Sequence, residues 1–498
     1  MINRKAFLTK AVEEGFKNKV NGYPLTLKHS KGKKLLDYKI YGNSVQDGTP
    51  TPDIPVEMQS VGEQSKNLFN IKECITGTNI LDNGDGSITA KGYPSYTGKK
   101  LSQLAPNLKI GDEFVFSMET NGYAAIYLLD KSANYNNYIG NKGKYIATQE
   151  MLNSSVYLYK QTPAQGGAAA IIKNMQIELG TVATKYEQYG YRIPIKVSGK
   201  NKFNLSAVEH TERTEILENG IKWLQSGDVD IKLPAGEYTI SFKQNGTGSL
   251  YLRNGKVSNG YITMLTSTAT YKTFKFDASV DGYLRISCFS LEKILTDIQI
   301  EEGTAATVYE PYVEPKITNI YLNEPLRKLG EYADYIDFKN KKIVRNVKKV
   351  NIDSTSSFIY RVDMAKGTIF NGEWAPFQYN IALKSNSLGL SNFFVRKSTY
   401  AVADYIFWLQ TSLTYLIFNL KKADIGADST TSDAAMLNLL KTWLADKKMY
   451  FLVAVEAEEQ SIDLPEILTN KYTNIITVDT TIEPSKIEAE YSSFVKEV

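Results

Sequence analysis

The chain contains one domain-sized segment twice, and this repeat constrains its fold more than any other feature of the 498 residues. The opening KNLFN at residues 66–70 recurs as KNKFN at 200–204, and the closing QIELGT at 176–181 recurs as QIEEGT at 299–304. The offset falls from 134 (200 minus 66) to 123 (299 minus 176), as expected when only loop lengths differ. A period of about 120 residues is the size of a folded domain and is far longer than a solenoid rung. We therefore predict two tandem domains with the same fold.

Both copies carry the pattern of β-strands. Short runs that alternate apolar and polar residues, such as Glu113–Met118 in the first copy and Glu237–Phe242 in the second, lie between Asn-Gly or Gly-rich turns. This pattern is typical of an antiparallel sandwich, and helical periodicity is nearly absent. We predict that each copy is a jelly roll of about eight to ten strands.

The rest of the chain divides around the two copies. We predict an N-terminal attachment region and connector at 1–60, jelly-roll module 1 at 61–192, jelly-roll module 2 at 193–315 and a C-terminal β-rich domain at 316–498. Apolar residues at helical spacing over 2–20 predict a short N-terminal helix, and a Ser or Asp start before an apolar stripe predicts one packed helix over 432–447. The expected fold class is mainly β: two tandem antiparallel jelly-roll sandwiches, followed by a β-rich domain with one packed helix.

Composition and charge argue against several classes of protein. With 42% hydrophobic and 22% charged residues, the chain has the composition of a globular protein. Its net charge of +4 is too small for so long a chain to attract nucleic acid or acidic lipid, so neither is expected as a partner. No segment approaches the roughly 20 apolar residues of a membrane span, and the first residues lack the apolar core of a signal peptide. We expect a protein that is made in the cytoplasm without a signal peptide.

Signatures of catalysis and of metal binding are missing from the sequence. It has no Gly-x-x-x-x-Gly-Lys-Ser/Thr phosphate loop, no His-Glu-x-x-His and no Gly-x-Ser-x-Gly motif. Cys74 and Cys288 do not correspond between the copies, which argues against a shared disulfide or zinc site. We predict no enzyme, no catalytic residue, no metal and no cofactor. A carboxylate-pair glycosidase stays open, because such pairs meet only in the fold.

One short segment has two interpretations. The sequence DNGDGS at Asp82–Ser87 carries closely spaced oxygen ligands that suit calcium. Its Asn-Gly and Asp-Gly pairs are also those of a type I′ hairpin turn, and the second copy keeps the turn at Glu218–Ile221 without the ligands. We favour the hairpin turn over half of a calcium loop.

Several segments resemble known proteins. The repeated opening at 66–70, the turn at 83–88, the closing QIEEGTA and the C-terminal NIITV at 474–478 resemble tail and baseplate proteins of phages and prophages of Gram-positive bacteria. The modules also look like the carbohydrate-binding jelly rolls that are appended to glycan-active enzymes. The resemblance implies a virion protein that attaches to other tail or baseplate proteins through its N-terminal region and forms a homotrimer. It implies sugar recognition as well, although jelly rolls also serve as spacers.

Aromatic residues supply the candidate binding site. Flat rings match the apolar face of a pyranose, and Asn and Asp neighbours can bond its hydroxyls. The predicted glycan contacts are Tyr123, Tyr127, Tyr135, Tyr138 and Tyr157 in module 1 and Trp223, Tyr251, Tyr261 and Tyr283 in module 2. Any of them could instead be a core residue, since aromatic residues are common in half-buried strands. The closing Tyr-Glu-x-Tyr at 186–189 and 309–312 is interpreted as a domain-closing strand.

Three functions follow, in order of preference. The first is a receptor-binding adhesin at the periphery of a phage tail or baseplate, which attaches to host cell-surface polysaccharide through one or both modules. The second is a purely structural virion component of the baseplate, neck or head, with the jelly rolls as spacers. The third is a cell-wall hydrolase. Exposed rings beside Asn or Asp favour the first, whereas Tyr-rich faces buried between subunits favour the second.

Overall fold

The computed structural model describes the chain outside a set of short segments. These are residues 1–15, 23–24, 30–32, 85, 92–94, 122–123, 130–136, 140–141, 161–169, 257–259, 278–281, 291, 362–372, 384–388, 398–404, 410–414, 466, 468–471, 479–486 and 496–498. For several strand segments, among them 16–22, 25–29, 33–37, 124–127, 137–139 and 487–495, the backbone alone is described. The described residues are mainly β and form two sandwiches and a central domain.

Six strands precede module 1. They are β1 (Phe16–Gly22), β2 (Leu25–His29), β3 (Lys33–Tyr41), β4 (Ser44–Gln46), β5 (Met58–Ser60) and β6 (Glu63–Gln64). β1 pairs antiparallel with residues 487–493 near the end of the chain. The predicted N-terminal helix is therefore wrong from Phe16 onward, and residues 1–15 lie outside the described part. Pairing with a distant strand outweighs the local helical pattern, because most of the stability of a helix in a protein comes from tertiary packing and not from its own sequence.

Module 1 is a sandwich of two antiparallel sheets. Its strands are β7 (Ile80–Asp82), β8 (Ile88–Ala90), β9 (Ser95–Lys100), β10 (Glu113–Thr120), β11 (Ala124–Leu129), β12 (Asn137–Ile139), β13 (Lys142–Ile146), β14 (Ser155–Lys160) and β15 (Ala170–Leu179). The sheet orders are β13-β10-β15-β8-β7 and β12-β11-β14-β9. Two short helices, α1 (Leu101–Leu104) and α2 (Gln149–Asn153), and a 3₁₀ turn at Ile71–Cys74 add apolar side chains to the core.

Module 2 repeats this architecture strand for strand after a connecting strand, β16 (Tyr191–Gly199), and a 3₁₀ turn at Leu205–Ala207. Its strands are β17 (Glu209–His210), β18 (Thr214–Leu217), β19 (Gly220–Trp223), β20 (Gly227–Lys232), β21 (Gly236–Asn245), β22 (Leu250–Asn254), β23 (Tyr261–Leu265), β24 (Tyr271–Phe276), β25 (Tyr283–Cys288) and β26 (Lys293–Glu302). The sheet orders, β24-β21-β26-β19-β18 and β23-β22-β25-β20-β17, become those of module 1 when β18–β26 replace β7–β15, with β17 as an addition. Strands that pass back and forth between two such sheets form a jelly roll, so the predicted fold class is confirmed.

The alternation in the sequence builds both cores. Phe114 and Phe116 of β10 are buried in module 1, and the corresponding Tyr238 and Ile240 of β21 are buried in module 2. Successive side chains of a strand point to opposite faces, so a period of two buries one face of each sheet. Burial of one large apolar side chain stabilises a fold by roughly 1.5–3 kcal/mol relative to leaving it exposed.

The remaining strands form the central domain together with β1–β6 and β16. They are β27 (Lys316–Leu322), β28 (Lys328–Leu329), β29 (Tyr332–Ala333), β30 (Tyr335–Asp337), β31 (Lys342–Ile352), β32 (Phe358–Tyr360), β33 (Trp374–Asn380), β34 (Gly389–Ser391), β35 (Val395–Arg396), β36 (Ile406–Leu409), β37 (Tyr415–Lys421), β38 (Met449–Ser461), β39 (Asn474–Val478) and β40 (Ile487–Val495). One sheet has the order β1-β40-β3-β30-β31-β38-β34 and another has the order β2-β39-β16-β27, with β6 also on β16. The N-terminal region therefore shares sheets with the C-terminal residues, and the predicted boundary at 192/193 falls inside β16.

A third sheet of the central domain packs with a helix of about three turns. The sheet has the order β32-β33-β37-β36-β35, and α3 (Asp433–Leu444) shares a core with it that includes Phe377 and Phe418. The helix begins after Ser432, whose side chain accepts a hydrogen bond from the backbone N–H of Ala435, so the predicted packed helix is confirmed. None of the helices in the described ranges has the length and apolar character needed to cross a membrane.

Candidate functional site

The outer face of one sheet in module 2 carries three of that module's four predicted contacts. Along β22, Leu250 and Leu252 are buried in the core, whereas Tyr251 and Arg253 alternate with them and are partly exposed. Tyr283 lies on the neighbouring strand β25 with the same alternation. The period of two that builds the core therefore also sets out a row of aromatic and charged side chains on the other face.

Three aromatic side chains meet at one end of this face, and we call them the aromatic corner: Tyr251, Tyr261 and Phe289. The ring centroids of Tyr251 and Phe289 lie 5.3 Å apart at an interplanar angle of 63°, and those of Tyr251 and Tyr261 lie 6.5 Å apart at 54°. Tyr261 is 62% exposed and Phe289 is 59% exposed. Because the rings are tilted rather than stacked, part of their faces stays open to solvent.

An ionic cluster lies next to the aromatic corner. Arg285 donates to both carboxylate oxygens of Asp230, from Nε at 2.8 Å and from one terminal nitrogen at 2.9 Å, and its other terminal nitrogen lies 3.3 Å from Asp228. The guanidinium of Arg253, the cross-strand partner of Arg285, lies 5.8 Å from the centre of the Phe289 ring. Bidentate pairing fixes these polar groups in place. Fixed donors and acceptors beside apolar rings are the combination that orients a sugar.

Tyr283 lies on the same face, but other side chains cover it. Its hydroxyl donates to Oε1 of Glu209 at 2.6 Å, and Nζ of Lys256 lies 3.9 Å from the centre of its ring. Hydrogen bonds from Lys256 and then from Tyr283 lower the pKa of Glu209. A cation on the ring leaves less of its face for a ligand. Tyr283 therefore lies at the border of the candidate surface.

The equivalent sheet of module 1 has four tyrosines at one register position. Tyr138 of β12, Tyr127 of β11, Tyr157 of β14 and Tyr96 of β9 are successive Cα partners across the sheet, and we call them the tyrosine row. The rings of Tyr96 and Tyr157 stack with centroids 4.7 Å apart at 23°, whereas only the backbone of Tyr127 and Tyr138 is described. Stacked rings cover each other's faces, so this part of the row offers mainly ring edges and hydroxyls.

The same row differs in module 2. Its four positions are Met264, Tyr251, Ser287 and Asp228, in the order β23, β22, β25 and β20. One of the four tyrosines is thus kept, and a carboxylate stands where module 1 has Tyr96. The two modules share a fold but present different chemistry on the same face.

The prediction for Trp223 requires correction. Its side chain is fully buried in the core of module 2, and its Nε1 donates to the carbonyl of Gly227 at 3.1 Å. β19 lies between two strands of its sheet, where a large apolar ring fills the core. Tyr123 and Tyr135 lie outside the described residues.

Sequence reasoning missed Phe289 and Tyr96. Phe289 directly follows β25, at a position where the alternation has ended, so no periodic signal marks it. Tyr96 lies between Ser95 and Thr97, and both of these polar side chains are buried. In β9 the usual pattern is therefore inverted, with polar residues inside and the aromatic ring outside. Tyr96 can be identified only if both alternating sets of residues in β9 are considered as the possible outer face.

The repeated opening and closing motifs form a hydrogen-bonded clasp at the end of each module. In module 1, Oδ1 of Asn67 accepts from the backbone N–H groups of Phe69 (2.9 Å) and Ile177 (3.2 Å). Its Nδ2 donates to the carbonyls of Met175 (2.9 Å) and Glu187 (3.0 Å). One buried amide thus joins the first and last segments of the module and satisfies four backbone groups.

Module 2 has the same clasp at corresponding residues. Asn201 makes the four equivalent bonds with Phe203, Ile300, Ile298 and Glu310. Glu178 accepts from the backbone and the hydroxyl of Thr184, and in module 2 Glu301 accepts from Thr307 in the same way. The hydrogen bonds of the clasp therefore account for the repetition of these motifs. The Tyr-Glu-x-Tyr segments close each module, as predicted, but the prediction of a strand there is wrong: residues 186–189 and 309–312 are irregular and are held by the clasp instead.

Hydrogen bonds link the described residues of the hairpin loop at Asp82–Ser87, of which Asp85 lies outside the described part. Oδ1 of Asp82 accepts from the backbone N–H of Gly84 at 2.9 Å, and Nδ2 of Asn83 donates to Oγ of Ser87 at 2.8 Å. Gly84 has a φ of 80°, a conformation that glycine adopts without strain. Within the described ranges, no three His, Cys, Asp or Glu side chains gather closely enough to hold a metal ion.

Comparison with known proteins identifies no family. No family model matches the chain, and no curated protein matches it. Among solved structures, the chain is similar to one in the "Structure of infectious bursal disease virus Gt strain", with 8% identity over 96% of this chain and 81% of that chain and a TM-score of 0.09. A likeness this weak carries no argument about fold or function.

Proposed function

We propose that this protein is a non-enzymatic component of a phage virion, at the periphery of the tail or baseplate, and that it binds host cell-surface polysaccharide through the outer sheet face of module 2. The observation that carries the proposal is the aromatic corner. Two of its three rings are more than half exposed, although solvent-exposed rings of this size cost free energy unless something covers them. The setting in a virion rests on the resemblance of the repeated motifs and the C-terminal segments to tail and baseplate proteins.

The chemistry of the surface fits a sugar. The rings of Tyr261 and Phe289 offer apolar area to one face of a pyranose, and Asp228 with the Asp230–Arg285 pair offers acceptors and donors to its hydroxyls. A single site of this kind binds weakly. In a homotrimer carried in several copies on a particle, avidity would raise the effective affinity by about 10²- to 10⁴-fold.

Attachment to other tail or baseplate proteins belongs, in this proposal, to the central domain. β1, β2 and β3 are strands of its sheets, so the N-terminal region is built into that domain. The two modules then face outward from a base that the particle holds.

The test is binding of the full-length protein to purified walls of Gram-positive bacteria and to their extracted polysaccharides. We expect saturable binding that soluble polysaccharide competes, and we expect Tyr261→Ala and Phe289→Ala each to weaken it by about tenfold through loss of ring contact. Tyr271→Ala is the matched control, because Tyr271 is 56% exposed in the same module but lies on β24 of the opposite sheet. Equal effects of all three variants, or no binding by folded protein to any host wall, would contradict the proposal.

A second candidate function is a purely structural virion component, and the contacts between the modules and the central domain favour it. Both modules are joined to the central domain by fixed polar contacts: Thr473 donates from its backbone N–H and its hydroxyl to Glu310 at 3.0 Å each, and Arg192 lies 3.1 Å from Glu187. Such joints suit spacers that hold neighbouring parts at a set distance. If this function is correct, Tyr261→Ala and Phe289→Ala reduce incorporation of the protein into particles and do not affect any binding to walls.

A further inference from the structure

A cleft of about 810 Å³ lies between module 1 and the central domain. We call it the module 1 cleft. On the module side its walls include Tyr186, Gln188 and the hairpin loop at 82–88, and on the other side they include Asn323 of the segment after β27 and Gln460 of β38. Its volume falls within the roughly 300–1,000 Å³ of small-ligand sites, which occur preferentially at domain interfaces.

The hairpin loop that lines the cleft is longer in module 1 than the corresponding turn in module 2. Five residues, 83–87, connect β7 to β8, whereas two residues, 218–219, connect the corresponding strands β18 and β19. Hydrogen bonds among its described residues link Asp82 to Gly84 and Asn83 to Ser87, so this part of the loop forms a shaped wall. The two modules have the same strand order around this turn, so the longer loop of module 1 is an addition that the fold itself does not require.

The walls are also fixed relative to each other. Tyr321 of β27 lines the cleft, and its hydroxyl lies 3.4 Å from Oε1 of Glu187 in the clasp of module 1. Arg192 of β16 lies 3.1 Å from the same oxygen. The cleft is therefore a preformed site, and a ligand would lose little free energy in ordering it.

The lining chemistry indicates the class of ligand. The side-chain amides of Gln188, Asn323 and Gln460 are exposed, and within the described part of the chain they make no hydrogen bond. Each amide both donates and accepts, as a sugar hydroxyl does. The charged residues that line the cleft include both cations, such as Lys348, and anions, such as Glu458. Because these charges largely offset each other, the cleft does not favour a polyanion.

We propose that the module 1 cleft is a second binding site of this protein and that it takes a neutral oligosaccharide of a few residues. Amide side chains bond the hydroxyls, and the Tyr186 and Tyr321 side chains contribute aromatic surface and phenolic hydroxyls. This site lies on module 1 and does not depend on the aromatic corner of module 2.

The experiment titrates the full-length protein with cellohexaose, chitohexaose and maltohexaose by calorimetry, with an acidic hexagalacturonate as the polyanion comparison. We expect at least one neutral hexasaccharide to bind and to slow hydrogen exchange at 83–87 and 458–461. Asn323→Ala combined with Gln460→Ala should weaken binding by about tenfold or more, because two hydrogen bonds to the ligand are lost. Replacing residues 83–87 by Glu-Asn, the two residues that connect β18 to β19 in module 2, should weaken it as well, and Tyr261→Ala with Phe289→Ala should not.

Three results would overturn the proposal. They are no binding of any neutral hexasaccharide to folded protein, binding of the acidic hexamer alone, and binding that the aromatic-corner variant removes while both cleft variants leave it intact. Failure of the cleft is distinguishable from failure of the proposed function, since wall binding sensitive to Tyr261→Ala can persist when no hexasaccharide occupies the cleft.

Discussion

At the scale of single residues, the two copies preserve what their clasps need and vary what their outer faces present. Asn67 and Asn201 each make four hydrogen bonds to buried backbone groups, and no other side chain of similar size has the same two donors and two acceptors in one plane. On the outer faces, by contrast, Tyr96 corresponds to Asp228 and Tyr157 to Ser287. Residues whose side chains satisfy buried backbone groups therefore recur, whereas these positions on the outer sheet face differ.

This argument predicts the effect of Asn201→Asp. A carboxylate keeps the two acceptor sites for the N–H groups of Phe203 and Ile300, but it has no N–H for the carbonyls of Ile298 and Glu310. We expect a loss of about 2 kcal/mol or more in the free energy of unfolding, measured by urea denaturation. Asn204→Asp is the control: Oδ1 of Asn204 caps a 3₁₀ turn by accepting from the backbone N–H of Ser206, and Asp keeps that acceptor. Equal loss in both variants would contradict the role of the clasp.

Glu178 makes the stability of module 1 depend on pH. Burial raises its pKa, but hydrogen bonds from Thr184 and Gln176 outweigh burial and lower the pKa overall. The folded state therefore stabilises the ionised form of Glu178 relative to the unfolded state. This contribution to the free energy of unfolding is complete above the unfolded pKa of about 4.3, and it is lost as the pH falls through the lower pKa of the folded state. We expect the melting temperature of the wild type to fall more steeply below about pH 4.5 than that of Glu178→Gln. Parallel melting curves of the two proteins from pH 6 to pH 3 would refute this.

At the scale of elements, α3 shows how a local signal sets a boundary. Ser432 accepts from the backbone N–H of Ala435, and Met436, Leu440 and Leu444 are the buried stripe of the helix. The Ser start and the apolar residues Leu440 and Leu444 mark this helix in the sequence.

Loss of this cap should cost a predictable amount. Ser432→Ala leaves an N–H group at the first turn of α3 without its acceptor, and we expect about 1 kcal/mol of destabilisation of the central domain. Ser432→Asp keeps an acceptor and adds a favourable charge at the helix N-terminus, so it should be neutral or slightly stabilising. Thermal unfolding of the three proteins measures the difference, and equal melting temperatures for Ser432→Ala and the wild type would argue against the cap.

Local sequence signals account for the elements that could be predicted. The strands of both modules follow from alternation and turns, and α3 follows from its stripe, because these signals lie within about a dozen residues. The local pattern predicts β1 as helix and divides β16 between two domains, because both become strands only by pairing with distant segments. β1 pairs with β40, and β16 pairs with β27 and β39. The candidate site was predictable to the extent that Tyr251, Tyr261 and Tyr157 alternate with core residues. Phe289 and the module 1 cleft arise only when separate segments meet.

At the scale of the whole molecule, both modules are insertions between neighbouring strands of one sheet. Module 1 leaves the central domain after β6 and returns as β16, and Gln64 is the Cα partner of Tyr191. Module 2 leaves after β16 and returns as β27, and Val197 is the Cα partner of Lys316. Each insertion therefore starts and ends at adjacent points on the same sheet. The central domain needs neither module to bring its own strands together.

Replacing residues 200–315 by a short Gly-Ser linker should therefore leave the rest of the protein folded. The ends of β16 and β27 are antiparallel neighbours, a few residues suffice to connect them as a hairpin, and closing such a short loop costs little entropy. The shortened protein loses the contacts of Glu310 with Thr473, so we expect a lower melting temperature but an unchanged exchange-protection pattern in β39 and module 1. It should also lose the wall binding assigned to the aromatic corner while it keeps the module 1 cleft. Loss of protection throughout β16, β27 and β39 would show that module 2 is part of the central fold, and the two modules would then be structural members of one domain.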